Sequence, residues 1–311
     1  MFTIIKPHTN YDFMGTRKFW ATVSWTAAIV AVVLFFVRGL NYGIDFTGGL
    51  EINVRFNDNS VDTQKVRDVM QEVKSGDVQV QKFGDTDRNE YLIRFEGTAS
   101  GLNQLSKDIE TKLESKYSKD AFEIRKVDVV GPKVGQELKL SGIYSLLYAL
   151  LGILIYVAIR FDYKFAPAAV IATVHDVIII IGVFAVTRYQ FTLSTVAALL
   201  TIIGYSVNDT IVVFDRIRET TEKQKGTPLK DIINRSINDT LSRTILTSAV
   251  TMLVVIMLLI YGGATLWDFS FALAVGIAVG TYSSIFVASP IVLWIDTMVE
   301  KRKATKAVNT K

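Results

Sequence analysis

FAPAAVIATVHDVIIIIGVFAVT, Phe165–Thr187, decides the class of fold. Its single acidic residue is Asp176, and it holds no Lys or Arg. About 20 such residues are what a helix needs to cross the hydrocarbon of a bilayer. Comparable runs lie on both sides: Phe19–Val37 before it, and Leu140–Ile159, Phe191–Phe214, Thr244–Leu266 and Phe269–Ile295 around and after it. The expected architecture is therefore a membrane α-helical bundle of six transmembrane helices. Half of the 311 residues are hydrophobic and 21% are charged, and the charges crowd between the runs. Membrane chains segregate charge in this way.

The net charge of +4 is small. It fits basic loops at one membrane face better than a nucleic-acid surface, and no nucleic-acid partner is expected. No cysteine is present, so disulfides and thiolate metal sites are excluded. His8 and His175 are the only histidines, which excludes a site of three or more. No metal or cofactor is expected. The first run, of about 19 residues, is long enough to span, and no small-residue cleavage motif follows it, so a cleaved signal peptide is not expected.

Basic residues set the orientation. Lys6, Arg17, Lys18, Arg160, Lys164, Arg216, Arg218, Lys223, Lys225, Lys230, Arg235, Arg243, Lys301, Arg302, Lys303, Lys306 and Lys311 fall on one side. The opposite short loops hold little beyond Arg188. The positive-inside rule then puts the N-terminal segment 1–18 and the tail 296–311 in the cytoplasm, with the first span at 19–38 and the others within 138–295.

Between the first two spans, segment 39–137 is too polar for lipid and is the size of a small extracytoplasmic domain. Leu50, Ile52, Val54 and Phe56 alternate along a half-buried strand. Val61, Val66, Val69, Met70 and Val73 recur at helical spacing, and Val78–Phe83 alternates again. Gly84 and Asp85 begin a turn before the strand Tyr91–Phe95. Leu102, Leu105, Ile109 and Leu113 mark a second helix, and Phe122–Val130 a last strand. The order βαββαβ is that of an α+β ferredoxin-like unit. It contains no phosphate loop, dinucleotide fingerprint or acid/base pair, so a binding or mechanical role is expected.

The link Asp215–Arg243 is the one long cytoplasmic connection. Leu229, Ile232, Ile233 and Ile237 share one helical face among charges. The expectation is an amphipathic interfacial helix over about 216–242, with packing on the chain's own bundle as the alternative.

A charge inside a span costs several kcal/mol, so each one calls for a reason. Asp209 is expected roughly 9 Å of helix from Asp215, in the cytoplasmic half of span four. Arg243 opens span five, antiparallel to it. A carboxylate facing a guanidinium there can trade an ion pair for a proton. Ser206 and Asn208 offer Asp209 polar company. The other reading of Arg243 is an anchor that snorkels to the headgroups. For Asp176 a structural contact with His175 or a neighbouring helix stands beside a functional role. Gly276 and Gly280 give span six a GxxxG face for close packing, and Pro290 is expected to kink it.

Several strings resemble one family. Gly43-Ile-Asp-Phe-Thr-Gly-Gly49 is similar to the GIDFxGG signature of SecD and SecF proteins, and Val130-Gly-Pro-Lys-Val-Gly-Gln-Glu-Leu138 to their VGPxVGxEL. Thr173-Val-His-Asp-Val177, Gly204-Tyr-Ser-Val-Asn-Asp-Thr210, Phe214-Asp-Arg-Ile-Arg-Glu219, Arg243-Thr-Ile-Leu-Thr-Ser248 and Gly280-Thr-Tyr-Ser-Ser284 complete a SecF pattern in order along the chain. The resemblance implies a relative of the resistance-nodulation-division transporters. Its expected partners are SecD, the SecYEG channel, often YajC, and the preproteins in transit, with the proton gradient as energy source. It places the proton-responsive role on Asp209 and Arg243, with a further aspartate from SecD. The rival readings are a small-molecule exporter of the same superfamily, an intramembrane aspartyl protease using Asp176 and Asp209, and a pure scaffold. The protease lacks its GxGD motif, since Asp209 follows Ser-Val-Asn.

Overall fold

The computed structural model describes residues 9–309 except 59–60, 74–77, 84–88, 96–100 and 162–163. Lys6, His8, Lys311 and the turn expected at Gly84 and Asp85 lie outside the described residues. Helix α1 (Arg17–Arg38) ends at Gly39, whose φ of +64° suits a residue without Cβ. Strand β1 (Asn41–Tyr42) and the one-turn helix α2 (Ile44–Thr47) lead into the sheet domain. That domain runs β2 (Gly49–Phe56), α3 (Thr63–Val73), β3 (Val78–Phe83), β4 (Glu90–Phe95), α4 (Leu102–Lys116) and β5 (Phe122–Val130).

The sheet order is β3-β4-β2-β5 with every pair antiparallel. Strand β4 thus lies between β2 and β3, the split βαβ arrangement of the ferredoxin-like fold. Alternation does what the sequence pattern requires. Leu50, Ile52, Val54 and Phe56 are buried against Val66, Val69 and Met70 of α3 and Ile109 and Leu113 of α4. Glu51, Asn53, Leu92 and Arg94 occupy the other face.

The chain re-enters the bundle with α5 (Pro132–Arg160), whose proline sits in the first turn where its missing N–H costs nothing. Residues 132–137, expected in the outer domain, are therefore the first turns of this helix. Then follow α6 (Phe165–Thr187), β6 (Gln190–Phe191), α7 (Leu193–Lys223) and α8 (Leu229–Tyr261). The sixth span is α9 (Gly263–Ser283) continued by α10 (Ser289–Asn309). A π-helical turn, Ser284–Ala288, joins them just before Pro290, and Ser289 Oγ donates to the Ser284 carbonyl at 2.9 Å. The wider turn absorbs the backbone donor that proline lacks.

Among the described residues, six helices are long and apolar enough to cross a membrane. In α6, α7 and the sixth span, half or more of the most apolar stretch is buried, against 17% or less in α1, α5 and α8. The first three form the centre of the bundle. The other three turn Phe36, Tyr148, Val250 and Leu253 outward, which water would penalise and lipid does not. A Cβ on Gly276 would overlap Ile202, and one on Gly280 would meet Ser206 at 3.0 Å, so the GxxxG face lets α9 lie directly on α7.

Segment 216–242 follows the alternative reading, packing on the chain's own bundle. It is no separate interfacial helix: α7 runs on to Lys223, α8 starts at Leu229, and a short turn joins them. Ile232, Ile233 and Ile237 pack with Val213, Phe214 and Ile217 of α7 and Val292 of α10. Arg216 and Asp239 pair across the two helices at 2.6 Å. The apolar face is continuous with that of the spans, and the charges are met by one another, so the helices continue.

Candidate functional site

Asp176, in the middle of α6, is wholly buried. Its Oδ2 accepts hydrogen bonds from Ser206 Oγ of α7 at 2.6 Å and Ser283 Oγ of α9 at 2.8 Å, and its Oδ1 lies 3.1 Å from His175 Nδ1. A carboxylate taken out of water requires such donors. Three central helices are tied at one point. The other ring nitrogen of His175, Nε2, has no hydrogen-bond partner among the described residues, and the ring stands edge-on to Trp25 of α1.

Asp209 lies one turn beyond Ser206 on the buried side of α7 and is 3% exposed. Its environment is the reverse of that of Asp176. Oδ2 has no hydrogen-bond partner among the described residues. The polar groups that act on the carboxylate are Ser248 and Arg243, both of α8. Ser248 Oγ is held by Thr281 Oγ1 of α9 at 2.7 Å and by the Tyr205 hydroxyl at 3.3 Å. Thr244, one turn before Ser248, is buried with its own Oγ1 unpartnered among the described residues. Arg243 sits at the exposed edge of this cluster, and its charge reaches Asp209 with no direct ion pair between them.

The expected residues thus divide. Ser206 serves Asp176 rather than Asp209, and Asn208 is exposed on the far side of α7. Because α7 and α8 both extend past the apolar runs, Asp209 and Arg243 fall near the middle of their helices rather than close to an end. Ser248, Thr281 and Tyr205 were not singled out from sequence, and Ser283 was read only as part of the packing face of span six. Their signal was present in the strings Gly204–Thr210, Arg243–Ser248 and Gly280–Ser284, as hydroxyls among other polar groups.

The glycine-rich string at the start of the sheet domain forms a clamp on α7. Asp45 Oδ2 accepts from Leu193 N, the first residue of α7, at 2.8 Å. β1 pairs in parallel with β6, Asn41 opposite Gln190, and Phe46 packs on Phe191. Gly48 has φ +75°, and a Cβ there would lie 2.7 Å from Pro132 Cα. The helix carrying Asp209 and the strand opening the sheet domain are therefore joined through Asp45 and Gly48. Beside the clamp, Arg94 donates to the Tyr42 carbonyl at 3.1 Å and pairs with Glu51 at 3.2 Å. Burial raises the Glu51 carboxyl above its ordinary range, against the pull of Arg94.

An apolar bundle with buried carboxylates at its centre and a split βαβ domain clamped to one end defines a polytopic membrane protein with an added sheet domain. Comparisons with known proteins give the family. Residues 109–298 match the family described as protein export membrane protein SecD/SecF, C-terminal, and residues 33–59 match the SecD/SecF GG motif. The protein translocase subunit SecF of Calditerrivibrio nitroreducens is 46% identical over 298 residues, 95% of this chain and 97% of that relative. That of Magnetococcus marinus is 45% identical and covers 93% of each chain. The crystal structure of SecDF from Thermus thermophilus, a translocon-associated membrane protein, superposes with TM-score 0.83 at 36% identity. It covers 93% of this chain and 39% of that one, so the chain spans well under half of SecDF. The chain belongs to the SecD/SecF family of protein export membrane proteins, on its SecF side.

Proposed function

We propose that this chain acts with SecD as a proton-driven subunit that promotes protein translocation through the SecYEG channel, with YajC as a further companion. It works in the bacterial cytoplasmic membrane, with both termini in the cytoplasm and the sheet domain outside. The observation that carries the reading is Asp209: a buried carboxylate with one oxygen unpartnered, beside an arginine that does not pair with it. Such a group is costly to hold charged unless a second state satisfies it. Deprotonated, Asp209 draws Arg243 and tightens α7 against α8. Protonated, it releases Arg243 to water or to an acceptor on SecD. Two helix arrangements follow whose balance depends on one proton. The clamp of Asp45 on the start of α7 gives that shift a route to the sheet domain.

Asp176 is the structural counterpart, held by Ser206 and Ser283 with His175 beside it. The partner assignment is tested by affinity purification of the tagged chain in mild detergent. SecD copurifies if the reading holds; a chain recovered without SecD, from cells that make both, contradicts it.

A further inference from the structure

Between the open face of the sheet and the adjacent end of the bundle lies a cleft of about 870 Å³, within the range of ligand sites. Its sheet wall carries Asn53 and Leu92, and its bundle wall Trp267 and Asp268. The walls carry four carboxylates, Asp45, Glu51, Asp128 and Asp268, against two lysines, Lys82 and Lys126. Asp45, Glu51 and Asp268 act on one another and on one guanidinium, Arg94. Arg94 is already taken by Glu51 and the Tyr42 carbonyl, Asp45 by the backbone of α7, and Asp128 by Lys126 at 2.6 Å. Asp268 is left half-buried without a hydrogen bond or ion pair among the described residues. Asn53 on the opposite wall is 7% exposed, and its Oδ1 has no donor among the described residues. Unpaired acceptors on both walls ask for a cation with several N–H donors.

Among the described residues no three Asp, Glu or His side chains stand as a metal site, so an organic cation fits better than a metal ion. The cleft also runs the width of the sheet, from Gln81 of the edge strand β3 to Asp128 of the other edge strand β5. An edge strand offers a row of free backbone groups to an extended chain. We infer that this cleft holds an extended polypeptide segment through the ammonium group of a lysine, which lies between Asn53 and Asp268 with its stem against Leu92 and Trp267. This rests on the export role proposed above and names where the exported chain is gripped.

The test uses the full chain in detergent and three probes: a short fluorescent peptide with one central lysine, the same peptide with glutamate there, and free cadaverine as competitor. One charge-assisted hydrogen bond corresponds to about tenfold or more in affinity. The lysine peptide should bind about tenfold or more tightly than the glutamate peptide, with cadaverine a weak competitor. Asp268→Asn should weaken the lysine peptide by a similar factor and leave the glutamate peptide unchanged. Asn53→Val, which suits a strand, should also weaken it. Equal binding of the two peptides, competition by cadaverine as effective as by unlabelled lysine peptide, or indifference to both substitutions would overturn the inference. The assay needs no proton gradient and no export, so its failure leaves the Asp209 reading standing, and the reverse.

Discussion

Removing the donors of Asp176 should harm the bundle more than removing Asp176 itself. Ser206 and Ser283 reach the same oxygen of a wholly buried carboxylate at 2.6 and 2.8 Å. A hydrogen bond to a charged group contributes about 1.5–3 kcal/mol, so Ser206→Ala and Ser283→Ala should each cost about that. The double variant strips Oδ2 of both hydroxyls and should cost more than either. Asp176→Asn is different, because the two hydroxyls can turn to carbonyls of their own helices. Ser283 already lies 3.2 Å from the Gly280 carbonyl. Adding Asp176→Asn to the double variant should therefore recover at least about 1 kcal/mol, since a neutral amide is cheaper to bury than an unpaired charge. The assay is reversible unfolding in mild detergent titrated with a denaturing one, followed by tryptophan fluorescence. A triple variant no more stable than the double would refute the reasoning, as would single variants within about 0.5 kcal/mol of the parent, the range of surface substitutions.

Three further outcomes are expected. The chain has no cysteine, so cysteines placed at Asn57 and Lys225 report topology cleanly; the first should react with a membrane-impermeant thiol reagent in intact cells or spheroplasts and the second should not. The sheet domain, residues 43–131, should melt cooperatively when expressed alone, with Val54→Ala lowering its stability by about 2 kcal/mol in denaturant titration. Gly276→Leu should destabilise the bundle in detergent by about 1–3 kcal/mol or more, because the added side chain falls on Ile202.

The sequence carried the spans because length and apolarity alone decide them, and it carried the sheet domain because period-2 and helical spacing alternate cleanly from Leu50 to Val130. At 216–242 it left two readings open, and the structure favours packing on the chain's own bundle. Charges such as Arg216 and Asp239 read as solvent-facing, and only the structure shows them meeting across two helices while the isoleucines between them continue the core. Asp209 was legible from the cost of a buried charge. Its surroundings were not. Asn208, its chain neighbour, points elsewhere because successive residues on a helix are turned about 100° apart. Ser248 and Thr281 came from two other helices, and hydroxyls are too common in membrane spans to stand out. Asp268 falls between the runs Thr244–Leu266 and Phe269–Ile295 and was not singled out. Its position over the sheet domain depends on the clamp at Asp45 and Gly48, whose geometry no spacing rule reveals.

The central claim is that Asp209 couples proton uptake to export. Asp209→Asn keeps the size and the hydrogen bonds of the side chain and fixes it neutral. The direct measurement is export of a reporter protein in cells depleted of the native copy, with and without an uncoupler, and with membrane levels of the variant checked in parallel. The account predicts that Asp209→Asn inserts and binds SecD normally but loses the uncoupler-sensitive part of export. Arg243→Met should behave alike, and Arg243→Lys should be intermediate, because lysine keeps the charge without the planar fork. Full uncoupler-sensitive export by a stably inserted Asp209→Asn protein would contradict the account and leave Asp209 a structural residue.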